Sequence, residues 1–163
     1  MNGGSYQLEV TKDELGFAAA HFITMRGKCE RLHGHNYRVS VQVEGRLGDD
    51  GYVLDFGVLK RHAREIASSL DHRVLLAEEN PLLAFSEDDG HLTVQYGAKR
   101  YVFPLDEALL LPIANTTAEL LATYFCGQLI ERLAPEDLAT VSSVGVAVSE
   151  GPGQQALFSH QLD

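Results

Sequence analysis

The chain carries only two cysteines, Cys29 and Cys126, among 163 residues. Two thiols make no disulfide framework, and their number fits a reducing compartment. Cationic side chains are also scarce: 13 Lys and Arg stand against 23 Asp and Glu, a formal net charge of −10. General nucleic-acid binders and anionic-membrane binders need a broad basic surface, so this balance argues against both. No apolar run approaches the ~20 residues of a membrane span. The opening MNGGSYQLEV lacks the basic start and apolar stretch of a secretory signal, and the expected location is the cytoplasm. Low-complexity tracts, linkers and internal repeats are missing as well. What remains is 45% hydrophobic and 22% charged, apolar enough for one domain spanning 1–163.

Periodicity divides the chain. Residues Tyr6 to Thr24 read as extended, with a break near KDELG, and MRGKCER reads as a polar loop carrying Arg26, Lys28 and Arg31. From His33, one parity runs His35, Tyr37, Val39, Val41, Val43, while Asn36, Arg38, Ser40, Gln42 and Glu44 take the other. A period of two predicts a strand with one buried face, and both histidines lie on its apolar side. Asp55 stands as N-cap of a helix over about 56–70, with Leu59, Ala63, Ile66 and Leu70 as its apolar stripe. In a less regular segment at about 77–111, HLTVQYGAKRYVFP predicts a hairpin turning at Gly97. Thr116 and Glu119 have capping-box spacing for a second helix to about Leu133, with Leu121, Phe125 and Leu129 inward and Ala134-Pro135 as its stop. VSSVGVAVSE and QALFSH predict two closing strands around Gly151-Pro152-Gly153. This order predicts an α+β domain, an antiparallel sheet with the helices on one face.

Several residues could carry chemistry. His33 and His35, two apart on a strand, point the same way, and His21 shares a face with Phe17 and Ala19. Three neutral imidazoles with an open fourth position make a catalytic zinc site. By spacing alone, the commoner arrangement is two exposed histidines at a strand start and one satisfied core histidine. Cys29 lies in a loop with three cations, which would lower a thiol pKa; a loop cysteine without a role fits the same residues. Cys126, mid-helix among apolar residues, reads as a small buried hydrophobe. Asp71-His72 follows the first helix, where a carboxylate can orient an imidazole for acid–base work, or where the helix dipole simply favours a histidine. Glu150 continues the parity of Val144, Val146 and Val148. A carboxylate in line with a buried face needs partners, unless it swings into solvent.

Taken together, FAAAHF, CERLHGHNYRVSVQVEG, GYVLDFGVLK, SLDHRVLL, NTTAELLA and VAVSE resemble the 6-pyruvoyl-tetrahydropterin synthase and 6-carboxytetrahydropterin synthase family over Phe17 to Glu150. The segment at 77–111 matches least. The resemblance implies a tunnelling fold (T-fold), in which the sheets of several subunits join into a barrel. It implies a pterin triphosphate substrate, and active sites between subunits, commonly of a hexamer. Carried over by position, His21, His33 and His35 match the zinc ligands, Cys29 the catalytic thiol, and Asp71 with His72 its companion pair. Glu150 matches the glutamate that anchors the pterin, and Thr116 and Thr117 a threonine pair lining the pterin pocket. Three residues between Cys29 and His33 resemble the 6-carboxytetrahydropterin synthases of 7-deazaguanine (queuosine) biosynthesis, whereas pyruvoyl-type enzymes have a longer gap. The implied reaction converts 7,8-dihydroneopterin triphosphate to 6-carboxy-5,6,7,8-tetrahydropterin with release of acetaldehyde and triphosphate. Arg26, Lys28 and Arg31 are candidates for attracting the triphosphate, or form a solvated loop. Three alternatives remain: pyruvoyl-type triphosphate elimination, a non-catalytic zinc- or pterin-binding member, and dihydroneopterin cleavage through Glu30. The last arises because Glu30, beside Cys29, is similar to the base of a cleaving branch. Ala18 stands where many relatives have serine, and the segment at 77–111 exceeds that of compact members.

Overall fold

The structure is a computed structural model and describes residues 4–162. Strand β1 (Tyr6–Thr11) leads through a 3-10 turn (Asp13–Leu15) to β2 (Phe17–His21), a small hairpin of β3 (Thr24–Met25) and β4 (Lys28–Cys29), and the long β5 (His33–Gly45). Helix α1 (Phe56–Leu70) precedes β6 (Arg73–Ala77), β7 (Ala84–Asp88), β8 (His91–Tyr96), β9 (Lys99–Pro104) and β10 (Ala108–Leu111). Helix α2 (Ala118–Arg132), the short α3 (Pro135–Leu138), β11 (Val141–Gly151) and β12 (Gln154–Gln161) complete the chain. Among the described residues, no helix is long and apolar enough to cross a membrane.

β5 organises the main sheet, whose order is β10-β6-β2-β5-β11-β12. One edge of β5 is shared, β2 pairing with His33 to Tyr37 and β1 with Ser40 to Gly45, while β11 takes the other edge. At the joint between β1 and β2, a Cβ on Gly16 would lie 2.8 Å from the Tyr37 carbonyl, so only glycine lets the chain turn there. The α+β class expected from the periodicity is the one observed, with one difference. The sheet is mixed, because β6 lies parallel to β2 and β10 parallel to β6. The cause is connectivity. Both edges of β5 are occupied, so the chain crosses over through α1 and re-enters beyond β2 instead of folding back as a hairpin.

The alternation in β5 does what its pattern requires. Tyr37, Val39, Val41 and Val43 are buried together with Val144, Val146 and Val148 of β11. Leu59, Ala63, Ile66 and Leu70 of α1 and Leu121, Phe125 and Leu129 of α2 pack onto this face. Asp55 caps α1 as its position suggests, its carboxylate accepting from the Gly57 N–H at 2.5 Å. The second helix departs from the capping-box spacing. Thr117, not Thr116, is its N-cap and accepts from the Leu120 N–H. Thr116 is turned inward, where its hydroxyl donates to the Phe22 carbonyl at 3.0 Å. Pro135 does more than stop this helix, since it opens α3.

The segment at 77–111 contains the expected β8–β9 hairpin, with Gly97 at its turn in the left-handed region (φ 55°). It also contains β7, which joins the hairpin in a three-stranded antiparallel sheet, and β10, which returns to the main sheet. A second apolar cluster lies beneath this excursion, with Phe22, Cys29, Leu76, Leu92 and Val94 buried.

Gly45 ends β5 where a Cβ would run into the Thr140 carbonyl and lie 2.7 Å from Val53 Cγ1. Gly127, mid-way along α2, has nothing within 4 Å of its Cβ direction. Gly45→Ala is therefore expected to destabilise the protein by about 1–3 kcal/mol through overpacking, and Gly127→Ala to stabilise it by about 0.5–1 kcal/mol. Urea unfolding of the two variants checks the opposite signs.

Candidate metal centre and active site

The pairing of β2 with β5 sets the site. Its register places His21 opposite His33 and Ala19 opposite His35. The strands approach closely at Gly34, where a Cβ would sit 3.2 Å from the Ala19 carbonyl. Glycine between the two histidines and alanines on β2 are what this approach needs. One ligand atom from each of His21, His33 and His35 lies within 4.8 Å of the other two. Such spacing is compatible with one ion shared by the three rings.

The hydrogen bonds around the rings fix which nitrogen faces the centre. His21 Nδ1 lies 2.9 Å from the Thr116 carbonyl and His33 Nδ1 lies 2.8 Å from the Arg31 carbonyl. A carbonyl only accepts, so each Nδ1 carries the proton and each Nε2 keeps its lone pair. Such backing of a ring by a carbonyl is the usual outer support of a metal-bound histidine. His21 is fully buried, and burial, with a smaller contribution from His33 and His35, lowers its pKa to about 4. It is neutral at physiological pH, the form that binds a metal. Its Nε2 is buried without a hydrogen-bond partner among the described residues. Three imidazoles, one with an orphaned, buried nitrogen, fit a divalent transition metal, and the group can hold one ion.

Glu150 reaches the same place from the end of β11. Its Oε1 is buried, has no hydrogen-bond partner among the described residues, and lies 3.9 Å from His21 Nε2. Tyr37, next in the parity row after His33 and His35, has a buried hydroxyl that is likewise unpartnered. Burial first, and the Glu150 charge second, push that phenol well above its ordinary pKa. An unsatisfied buried polar group costs ~1–3 kcal/mol, so three of them together mark a place built to be completed by a ligand. Beside it lies a cavity of about 330 Å³ lined by Thr117, Glu119, Val148, Glu150 and Gln154. Thr116 supports it from behind, through its carbonyl on His21 and its hydroxyl on Phe22. Tyr37 and Glu119 join the candidate site here: sequence pattern marks the first only as a buried strand residue and the second only as a capping partner.

Asp71 and His72 form the expected pair at the end of α1, with His72 Nδ1 2.9 Å from Asp71 Oδ2. The other Asp71 oxygen accepts from the Ala18 N–H at 2.8 Å, and the His72 N–H donates to the Ala18 carbonyl at 2.6 Å. The Ala18 N–H, then His72, hold the Asp71 carboxyl below its usual range. His72 sits in the left-handed region (φ 55°), uncommon for histidine, and its side chain is 83% exposed. The pair is therefore fixed at its base and open at its tip.

Cys29 is placed differently from the sequence expectation. Arg26, Lys28 and Arg31 are exposed, and strand alternation turns Lys28 outward and Cys29 inward. Burial raises the thiol pKa, opposed by Lys99 and reinforced by Glu30. The three loop cations do not lower it. Within one chain, Cys29 also stays apart from His72. Cys29 pairs with Thr24 beyond the His21 end of β2, whereas His72 is bonded to Ala18 near its start.

These features define a T-fold protein with a three-histidine, metal-competent pocket. The family model described as 6-pyruvoyl tetrahydropterin synthase matches residues 9–161, and the chain belongs to that family. It is 35% identical over 150 residues to a protein of Methanocaldococcus jannaschii provisionally named 6-carboxy-5,6,7,8-tetrahydropterin synthase, covering 91% of this chain and 92% of that one. A Bacillus subtilis protein named 6-carboxy-5,6,7,8-tetrahydropterin synthase is 34% identical over 121 residues, covering 72% and 70%. A 59-residue match at 42% identity links it to a Pyrococcus furiosus dihydroneopterin monophosphate aldolase, over 36% of this chain and 50% of that one. Among solved structures, the 6-pyruvoyl tetrahydropterin synthase of Plasmodium falciparum superposes with a TM-score of 0.94 at 32% identity, over 98% of this chain and all of that one. The Plasmodium vivax enzyme superposes at 0.93 and 32% identity over the same shares, in forms whose catalytic glutamate is replaced by alanine or cysteine.

The depressed His21 pKa has a direct consequence for the metal-free protein. Between pH 6.5 and about 4 the unfolded chain binds a proton at His21 that the folded chain does not. Stability therefore rises with pH across that window and falls on acidification, by up to about 1.4 kcal/mol per pH unit from this residue. Urea midpoints from pH 7 to 4 are expected to fall more steeply for the wild type than for His21→Gln. Equal slopes would contradict the assignment.

Proposed function

We propose that the protein is a zinc-dependent lyase. It converts 7,8-dihydroneopterin triphosphate, with uptake of water, to 6-carboxy-5,6,7,8-tetrahydropterin, acetaldehyde and triphosphate. The observation that carries this reading is the convergence of His21, His33 and His35 with the unpartnered Glu150 Oε1 beside a cavity. The names of the Methanocaldococcus and Bacillus relatives support it. A pterin presents its ring N–H and 2-amino group as parallel donors, which suit one carboxylate; Glu150 takes that role, with Thr117 and, behind it, Thr116 shaping the pocket. The three imidazoles hold the zinc, which supplies Lewis-acid polarisation of the substrate's side-chain oxygens. Cys29 and His72 move protons at the side-chain carbons, and Asp71 keeps the His72 ring oriented.

Because Cys29 and His72 lie toward opposite ends of β2, one reaction centre uses Cys29 of one subunit and His72 of the partner subunit. Among the described residues, the outer strands β10 and β12 of the path have no further strand beside them, and pairing such edges between subunits removes an aggregation liability. A hexameric barrel with sites between subunits, which the family resemblance implies, would pair those edges. The free thiols of Cys29 and Cys126 support a cytoplasmic location.

A second reading rests on Glu30, adjacent to Cys29, together with the catalytic glutamate of the Plasmodium enzyme and the Pyrococcus aldolase name. In it, Glu30 is the base and the dihydroneopterin side chain is cleaved. Mass spectrometry of products from dihydroneopterin triphosphate separates the possibilities. The 6-carboxy product with acetaldehyde is expected, and loss of that product in Cys29→Ala with pterin binding retained. A 6-pyruvoyl product, a cleaved side chain dependent on Glu30, or unchanged substrate would each contradict the proposal. The subunit arrangement has its own test: mixing inactive Cys29→Ala and His72→Ala proteins by denaturation and refolding is expected to restore turnover, because some sites then receive both intact residues. No restoration would place both groups in one chain.

A further inference from the structure

The three-stranded β7–β9 sheet, in the segment at 77–111, holds a contact aimed at Cys29. Lys99, the first residue of β9, donates from Nζ to the Cys29 carbonyl at 2.6 Å and to the Glu30 carbonyl at 3.4 Å. The Cys29 thiol donates to the same Glu30 carbonyl at 3.5 Å. One oxygen is thus shared by the ammonium and the sulfur, which sets a positive charge next to the thiol. The reach of Lys99 is fixed by its surroundings. Lys99 pairs with Tyr96 beside the Gly97 turn, and Tyr101, two residues on, stacks on Phe22 at 5.1 Å. Leu92 and Val94 of the paired strand are buried in the cluster that contains Cys29. Three titratable groups bear on the thiol: Lys99 and Tyr101 from β9, and Glu30 from its own loop. Lys99 is the cation among them, and the loop residues Arg26, Lys28 and Arg31 do not take its place.

We propose that Lys99 is a positioning residue for Cys29. It clamps the Cys29–Glu30 peptide and supplies the positive charge beside a Cys29 thiolate, a role that rests on the reading of Cys29 as the proton-moving thiol. The three-stranded sheet is then part of the active site: it packs over the thiol and brings the cation that opposes the cost of burial. Glu30 shares the clamp, so its backbone position depends on the same side chain.

The test compares metal-loaded wild type, Lys99→Met and Lys99→Arg. Each is titrated by thiolate ultraviolet absorbance, taken as the difference from the same protein carrying Cys29→Ala, and assayed for turnover across pH. Lys99→Met is expected to raise the thiolate midpoint by about one pH unit. It should also lower kcat/KM near neutrality about tenfold, with the rate returning as pH is raised. Lys99→Arg, which keeps the charge, is expected to retain most of both properties. An unchanged midpoint in Lys99→Met overturns the proposal whatever happens to turnover, since a hairpin that merely packs poorly lowers the rate at every pH. Full turnover by Cys29→Ala would instead overturn the catalytic reading of Cys29, while the midpoint shift would still support the Lys99–Cys29 pairing.

Discussion

The antiparallel pairing of β2 with β5 is the constraint on which the site depends. Its register sets His21 against His33 and Ala19 against His35, so three imidazoles from two strands meet on one face. Small residues make the pairing tight enough, because Gly34 has no room for a side chain against the Ala19 carbonyl. A one-residue slip would turn every side chain of β2 to the opposite face, burying Ala18 and Ala20 in place of His21. The register is held from both sides: Phe17 stacks on Tyr37 at 4.8 Å, and Ala18 is bonded to Asp71 and His72.

Around that pairing the fold leaves an energetic debt. His21 Nε2, Tyr37 OH and Glu150 Oε1 are buried without partners, in a domain whose other buried polar side chains are largely satisfied. Folding tolerates this because α1, α2 and β11 bury a large apolar face on β5, and net stability is the small remainder of large opposing contributions. The groups that would relieve the debt are a cation among the imidazoles and an N–H donor at Glu150. The chemistry proposed for the protein and the strain in its structure therefore have the same origin.

Much of this was readable from local pattern. The parity of β5 marks its buried face, Asp55 marks the start of α1, and His33 and His35 share one parity that brings them together, although His33 is exposed and His35 half-buried. What could not be read depends on residues distant in sequence. The role of Thr116 is set by its carbonyl meeting His21 and its hydroxyl meeting Phe22, contacts that cap spacing does not reveal. The setting of Cys29 is fixed by Lys99, seventy residues away, so counting cations in its own loop gave the wrong sign for its pKa. The mixed sheet follows from the occupied edges of β5, a property of topology rather than of any segment. The resemblance implies that Cys29 works with Asp71 and His72, and within one chain they lie toward opposite ends of β2.

The central claim is that three imidazoles, two of them backed by carbonyls, enclose one ion beside Glu150. Anomalous diffraction at the zinc absorption edge, on crystals of metal-loaded protein soaked with a pterin, tests it directly. The account expects one peak per chain within bonding distance of a ring nitrogen of each of His21, His33 and His35, with the pterin ring on the Glu150 carboxylate. A peak on other residues, or no peak in protein that turns over substrate, would contradict it.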